Sequence, residues 1–65
     1  MTTILLRSSN GFRRFVRSTK PAFLLTKTKR QALWFDPSEA EKQANIIRQS
    51  IDRVEFADVV VEVTP

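Results

Sequence analysis

The sequence predicts a small α+β protein in which one helix packs on a face of an antiparallel-type sheet. Three observations favour this fold class: an Asn-Gly dipeptide between two apolar runs, a capped amphipathic stretch that begins at residue 36, and alternating valines near the C-terminus. The predicted element order is ββ(β)αβ. With 65 residues, the chain is expected to form a single domain over residues 1–65.

The N-terminal segment is predicted to form a β-hairpin. The runs TTILLR (2–7) and FRRFVR (12–17) flank Asn10 and Gly11, and Asn-Gly suits a type I′ turn because both turn residues need positive φ. A two-residue loop would set three facing pairs: Leu6 with Phe15, Leu5 with Val16, and Arg7 with Arg14. A longer loop would shift this register.

The middle of the chain is less regular. AFLLTKT (22–28) is interpreted as a third strand with Phe23 and Leu25 on one face. KRQALWF (29–35) fits either a short strand or a helical turn.

The most regular element is a helix predicted over residues 37–51. Asp36 is a good N-cap, Pro37 suits the first helical position, and Glu39 would complete a capping box. An apolar stripe follows at helical spacing, formed by Ala40, Ala44, Ile47 and Ile51 and widened by Ile46.

The C-terminal segment EFADVVVEV alternates in the manner of a half-buried strand. One face of this strand is predicted to carry Ala57, Val59, Val61 and Val63.

Charge is distributed unevenly along the chain. Residues 1–35 hold eight basic residues and no acidic ones, whereas residues 36–65 hold three basic residues against seven acidic ones, a net charge of −4. The segment 7–20 alone carries five of the eleven positive charges. This asymmetry indicates a polyanion partner or a protein surface of opposite sign.

Several function classes are disfavoured by composition. The chain has no histidine, cysteine or tyrosine, so the usual general bases, thiol nucleophiles and soft metal ligands are missing, and one glycine cannot form a phosphate-cradling loop. The carboxylates at 36, 39 and 41 suit the positive end of the helix, and nothing activates a Ser18–Lys20 dyad. We therefore expect no enzyme activity, no metal and no cofactor.

Location and membrane association are also addressed by the sequence. An acid-free, arginine-rich N-terminus has the composition of a mitochondrial transit peptide, but Gly11 and Pro21 would interrupt its helix. No segment approaches the length of a membrane span, so a membrane partner is not expected. The lack of cysteine fits the cytoplasm, which would be the host cytoplasm for a phage-encoded protein.

The candidate binding site is the basic N-terminal hairpin with neighbouring cations and aromatic residues. In the two-residue-loop register, Arg7, Leu5, Phe12 and Val16 share a face, and such a ribbon can lie along a phosphate backbone. The alternative interpretation is solvated charge that protects sheet edges from aggregation. The candidate residues are Arg7, Phe12, Arg13, Arg14, Arg17, Lys20, Lys27, Lys29, Arg30 and Trp34.

Trp34, the only tryptophan, has two interpretations. A single tryptophan in so small a domain usually helps to close the core, and this interpretation is favoured. If Leu33 and Phe35 enter the core instead, Trp34 is exposed and could stack on a base or anchor a protein interface.

The order of a strand, an Asn-Gly turn, a second strand, a threonine-containing strand, the ALWF segment, a capped helix rich in Glu and Ala, and a valine strand resembles small α+β accessory proteins of tailed phages and prophages. The resemblance implies an accessory role on a host protein or nucleic-acid complex and assigns no site residues. We therefore expect a non-enzymatic binding protein that docks on nucleic acid. The alternative is a protein-interaction module that modulates or inhibits a host protein with an acidic face.

The chain is also expected to self-associate. A small core without disulfide or metal and with open sheet edges favours a homodimer through a sheet edge. The C-terminal strand is the expected seam.

Overall fold

A computed structural model describes residues 1–51 and 55–63 and confirms the α+β fold with the order ββ(β)αβ. Within these ranges the sheet is antiparallel and has the strand order β3-β2-β1-β4. The elements are β1 (Thr2–Arg7), β2 (Arg13–Ser18), β3 (Leu24–Thr26), a 3-10 helix (Lys29–Gln31), α1 (Pro37–Ser50) and β4 (Asp58–Val63). Although β1 comes first in the chain, it is a central strand between β2 and β4.

The β1–β2 hairpin is confirmed, but the register predicted from a two-residue loop is wrong by one residue. Leu5 faces Phe15, and Arg7 faces Arg13. Gly11 has a φ of 90°, whereas Asn10 does not adopt the positive φ that a type I′ turn needs. The loop is therefore three residues long (9–11).

Ser8 closes this longer loop. Its N–H donates to the carbonyl of Phe12 at 2.9 Å, and its carbonyl accepts from the N–H of Gly11 at 3.2 Å. Its hydroxyl oxygen also accepts from the N–H of Phe12 at 3.0 Å. A three-residue hairpin loop commonly ends on a glycine with positive φ, which is the position of Gly11.

The shifted register changes which side chains share a face, because a slip of one residue exchanges the two faces of a strand. Val16 lies with Ile4 and Leu6 in the core beneath the helix, while Leu5 packs with Phe15 on the opposite face. The predicted common face of Leu5, Phe12 and Val16 is therefore wrong.

The main core lies between α1 and the sheet. The helix contributes Ala44 and Ile47, and β4 contributes Val59. Ala40 is also buried, as the apolar stripe predicts, and Ile51 lies half-buried just past the helix end. The alternation in β4 is confirmed for Val59, but the edge position of the strand leaves Val63 68% exposed.

The start of α1 differs in detail from the predicted capping box. Asp36 is the N-cap residue, but its side chain forms no capping hydrogen bond. Glu39 instead accepts a hydrogen bond at 3.1 Å from the Nε2 of Gln43, one turn later. The carbonyl of Asp36 accepts the first helical bond, from the N–H of Ala40 at 2.8 Å.

The segment between β3 and α1 crosses the sheet on the side opposite the helix. Ala32 packs on Leu5 and Phe15 there, forming a second, smaller core. Residues 29–35 were predicted to form either a short strand or a helical turn, and the structure contains a part of each. Residues 29–31 form a 3-10 helix, and Phe35 forms an isolated β-bridge with Thr2.

The third strand is shorter than predicted. It covers Leu24–Thr26 and pairs with β2 through an irregularity between Val16 and Ser18. Leu25 packs against the main core, whereas Phe23 precedes the strand and is 48% exposed.

Candidate nucleic-acid interface

The candidate site is the side of the sheet that faces away from α1, which we call the outer face. In the observed register, Arg7 has Arg13 opposite it on one side and Asp58 on the other. Because directly opposed residues of an antiparallel pair share a face, these side chains form one charged row. The outer face carries Arg7, Arg13, Arg17, Asp58 and Glu62.

Both carboxylates of the outer face are held in ion pairs. The Nη2 of Arg7 lies 2.5 Å from the Oδ2 of Asp58, with both side chains about half exposed. Lys29, in the crossing segment, pairs with Glu62. Exposed pairs of this kind contribute little to stability, but they offset the two acids of this face.

Three further cations on this side have no such partner. Arg13, Arg17 and Arg30 are exposed, and none forms an ion pair with a residue in the described ranges. Arg30 belongs to the 3-10 helix that lies over the outer face. The outer face therefore carries an excess of positive charge, which attracts polyanions.

The structure does not bring all the sequence-predicted residues together. Strand alternation places Phe12 and Arg14 on the helix side of the sheet, where the guanidinium carbon of Arg14 lies 5.4 Å from the centre of the Phe12 ring. The predicted pairing of Arg7 with Arg14 is wrong, since Arg13 occupies that position. Lys20 and Lys27 are exposed in the segments on either side of β3.

Trp34 does not close the core, so the favoured prediction for it is wrong. Its side chain is 66% exposed. Phe35 is directed toward the main core, and Leu33 is 36% exposed. Trp34 belongs to the segment that crosses the outer face, two residues after Ala32, which packs on Leu5 and Phe15 there.

An apolar groove that was not predicted from the sequence lies on the helix side. Its volume is about 330 Å³, and the exposed side chains of Phe23 and Ile46 form part of its wall. The only sequence signal for it was Ile46, which widens the apolar stripe beyond what the sheet covers. The remaining lining residues are Thr19, Gln43, Ile47, Ser50 and Ile51.

Within residues 1–51 and 55–63 there is no cluster of three or more acidic, histidine or cysteine side chains suited to a metal ion. No helix in those ranges is long and apolar enough to cross a membrane. No family model matches the chain. No curated protein and no solved structure matches it either. The resemblance to phage accessory proteins stays a prediction.

Proposed function

We propose that this chain is a non-enzymatic accessory protein that binds nucleic acid through the outer face of its sheet. The observation that carries the proposal is the pairing of Asp58 and Glu62 with Arg7 and Lys29. Among residues 1–51 and 55–63, no acid on that side then pairs with Arg13, Arg17 or Arg30. Arginine guanidinium groups suit phosphate oxygens because they donate parallel hydrogen bonds in a planar fork.

The mode of binding follows from the residue types. Contacts to phosphates position a protein on nucleic acid without reading its sequence. The proposed activity is therefore binding with little sequence preference, in the cytoplasm of the cell or of a phage's host. An accessory role in a phage or another mobile element fits this activity.

The proposal predicts a steep salt dependence. Three phosphate contacts give a log–log slope of affinity against salt of roughly −2.1 for a single strand and roughly −2.7 for duplex DNA. Binding of a fluorescein-labelled oligonucleotide, followed by anisotropy, is expected to weaken by about 20- to 40-fold between 50 and 200 mM salt. A salt-independent affinity would contradict phosphate binding and favour an apolar contact.

A second candidate function is supported by the apolar groove. A protein partner would place an apolar side chain between Phe23 and Ile46 and would contact the polar rim of the groove around it. This is the host-protein alternative, in which the chain modulates or inhibits its partner. Because apolar anchoring changes little with salt, the same titration separates the two functions.

We also propose that the chain forms a homodimer through β4. This strand ends the sheet order, so its outer edge has no strand partner among the described residues. The backbone bond between Ser8 and Phe12 shows that even-numbered residues of β1 point toward β2. Alternation then directs the backbone groups of Val59, Val61 and Val63 to the open edge.

One carbonyl of that edge is occupied. The guanidinium of Arg48 donates to the carbonyl of Val59, with the Nη2 at 2.9 Å. The edge beyond it contains β-branched residues and neither proline nor lysine, the residues that commonly protect an edge from pairing. The part of β4 around Val61 and Val63 is therefore the proposed seam.

The dimer predicts a concentration-dependent mass. Light scattering over a dilution series is expected to show twice the chain mass at high concentration. Val63→Lys is expected to shift the protein to monomer without loss of the fold, because Val63 is 68% exposed. A monomer at high concentration in the unsubstituted protein would rule out the dimer.

A further inference from the structure

We propose that Trp34 is a base-stacking platform, so that the outer face binds single-stranded nucleic acid in preference to a duplex. This inference rests on the proposed function and adds the class of nucleic acid that is bound. The Trp34 side chain is 66% exposed, nearly as much as the smaller side chain of Val63 at the end of β4.

The backbone around Trp34 is held on both sides. The N–H of Leu33 donates to the carbonyl of Val16 at 2.8 Å, and the N–H of Phe35 donates to the carbonyl of Thr2 at 2.9 Å. The indole is thus carried by a segment tied to two strands of the sheet. Because this backbone is already ordered, a base that stacks on the ring costs little backbone entropy.

The segment that carries Trp34 lies on the same side of the sheet as Arg13 and Arg17, which form no ion pair within the described part of the chain. Trp34 belongs to the segment that crosses the outer face, where Ala32 packs on Leu5 and Phe15, and its side chain is 66% exposed. Arg13 and Arg17 of β2 are directed to that side as well. An exposed aromatic ring beside a phosphate-binding surface is the arrangement that single-strand-binding proteins use.

The preference for single-stranded nucleic acid follows from which base faces the indole of Trp34 can contact. In a duplex the bases are stacked on each other, so a tryptophan can contact their faces only by forcing base steps apart, which costs a few kcal/mol per step. An unpaired strand offers the face of every base. The arginines would hold either form, but the tryptophan adds affinity only for the single strand.

The distance between Trp34 and the arginines at the far end of β1 suits a short stretch of single-stranded nucleic acid. Trp34 lies beside the N-terminal end of β1, and the row of Arg7 and Arg13 lies at its other end. Five residue steps along β1 span roughly 17 Å. At about 3.4 Å per nucleotide along one strand, this length spans roughly five nucleotides, which lies within the range of single-strand sites.

The chain contains its own probe for the experiment, because Trp34 is its one tryptophan and there is no tyrosine. A 16-nucleotide strand is titrated into the protein, first alone and then hybridised to its complement, while tryptophan emission and the anisotropy of a labelled strand are recorded. Stacking is expected to quench the emission with the single strand. The single strand is also expected to bind more tightly than the duplex.

Two variants make the test specific. Trp34→Leu is expected to lower single-strand affinity by about 5- to 100-fold and to leave duplex affinity unchanged. Phe12→Leu is the matched control, since Phe12 is 58% exposed but lies on the helix side of the sheet, and it is expected to change neither affinity. Circular dichroism checks that both variants keep the helix.

The outcomes separate the two proposals. Equal affinity for the two forms, or a single strand that binds without quenching, would overturn the stacking role while nucleic-acid binding stands. Absence of binding to both forms at low salt would overturn the proposed function and this inference together. Loss of duplex affinity in Trp34→Leu equal to the loss of single-strand affinity would likewise contradict stacking.

Discussion

Replacement of Ile47 by alanine is expected to lower the free energy of unfolding by about 2–5 kcal/mol. Ile47 is 5% exposed and packs in the main core with Ile4, Leu6 and Val59. The substitution removes three carbon atoms from the core between α1 and the sheet, and the cavity is costly because a packed core relaxes only in part. A domain of this size has a total stability of only a few kcal/mol, so the variant is expected to be largely unfolded at 37 °C.

The neighbouring isoleucine supplies a matched control. Ile46 is 55% exposed, and Ile46→Ala makes the same chemical change one position earlier in the same helix. Its effect is expected to stay within about 0.5 kcal/mol. Thermal and urea unfolding followed by circular dichroism measure both variants. Equal stability of the two would mean that α1 does not pack on the sheet through Ile47.

The elements that the sequence predicted well are those with a local signal. The stripe of Ala40, Ala44 and Ile47 needs only the helical period to be recognised, and these three residues are the buried residues of α1. The valine alternation identified β4 in the same way. Such patterns depend on residues a few positions apart, so the local sequence is sufficient to predict the helix and the strand.

The hairpin register shows the limit of local reasoning. Asn10 and Gly11 could form a two-residue turn, but the hydrogen bonds between Ser8 and the backbone of Phe12 and Gly11 stabilise a three-residue loop. Both loops satisfy the turn preferences of Asn and Gly. The length of the loop determines which arginines lie on the outer face, because the three-residue loop places Arg13 beside Arg7 and Arg14 on the other side of the sheet.

The charge balance of the candidate site could not be predicted from the sequence. Arg7 and Asp58 are 51 positions apart, and Lys29 and Glu62 are 33 apart. These pairs form only because β4 joins the sheet beside β1 and the 3-10 segment crosses the outer face. The exposure of Trp34 depends on the same crossing segment, whose backbone bonds to Val16 and Thr2 have no local signature.

The substitution Arg13→Gln with Arg17→Gln is expected to remove most of the affinity for nucleic acid. Each arginine that contacts a phosphate contributes about one unit to the salt slope, so the double variant is expected to reduce the slope by about two and to weaken binding at least about tenfold at low salt. The fold is expected to be retained, because both side chains are exposed. Loss of the charge opposite Arg7 relieves a repulsion within the sheet, so a small gain in stability is expected.

The control must separate the position of the charge from its amount. Lys42→Glu lowers the net charge by two, as the double arginine variant does, but Lys42 is exposed on α1 on the opposite side of the sheet. If phosphates bind at the outer face, Lys42→Glu keeps nearly the full salt slope, because long-range attraction is screened within about 10 Å at 0.1 M salt. Equal losses in the two variants would mean that the protein attracts polyanions only through its net charge. In that case the arginines of β2 would be solvated surface charge, the alternative that their spacing in the sequence also allows.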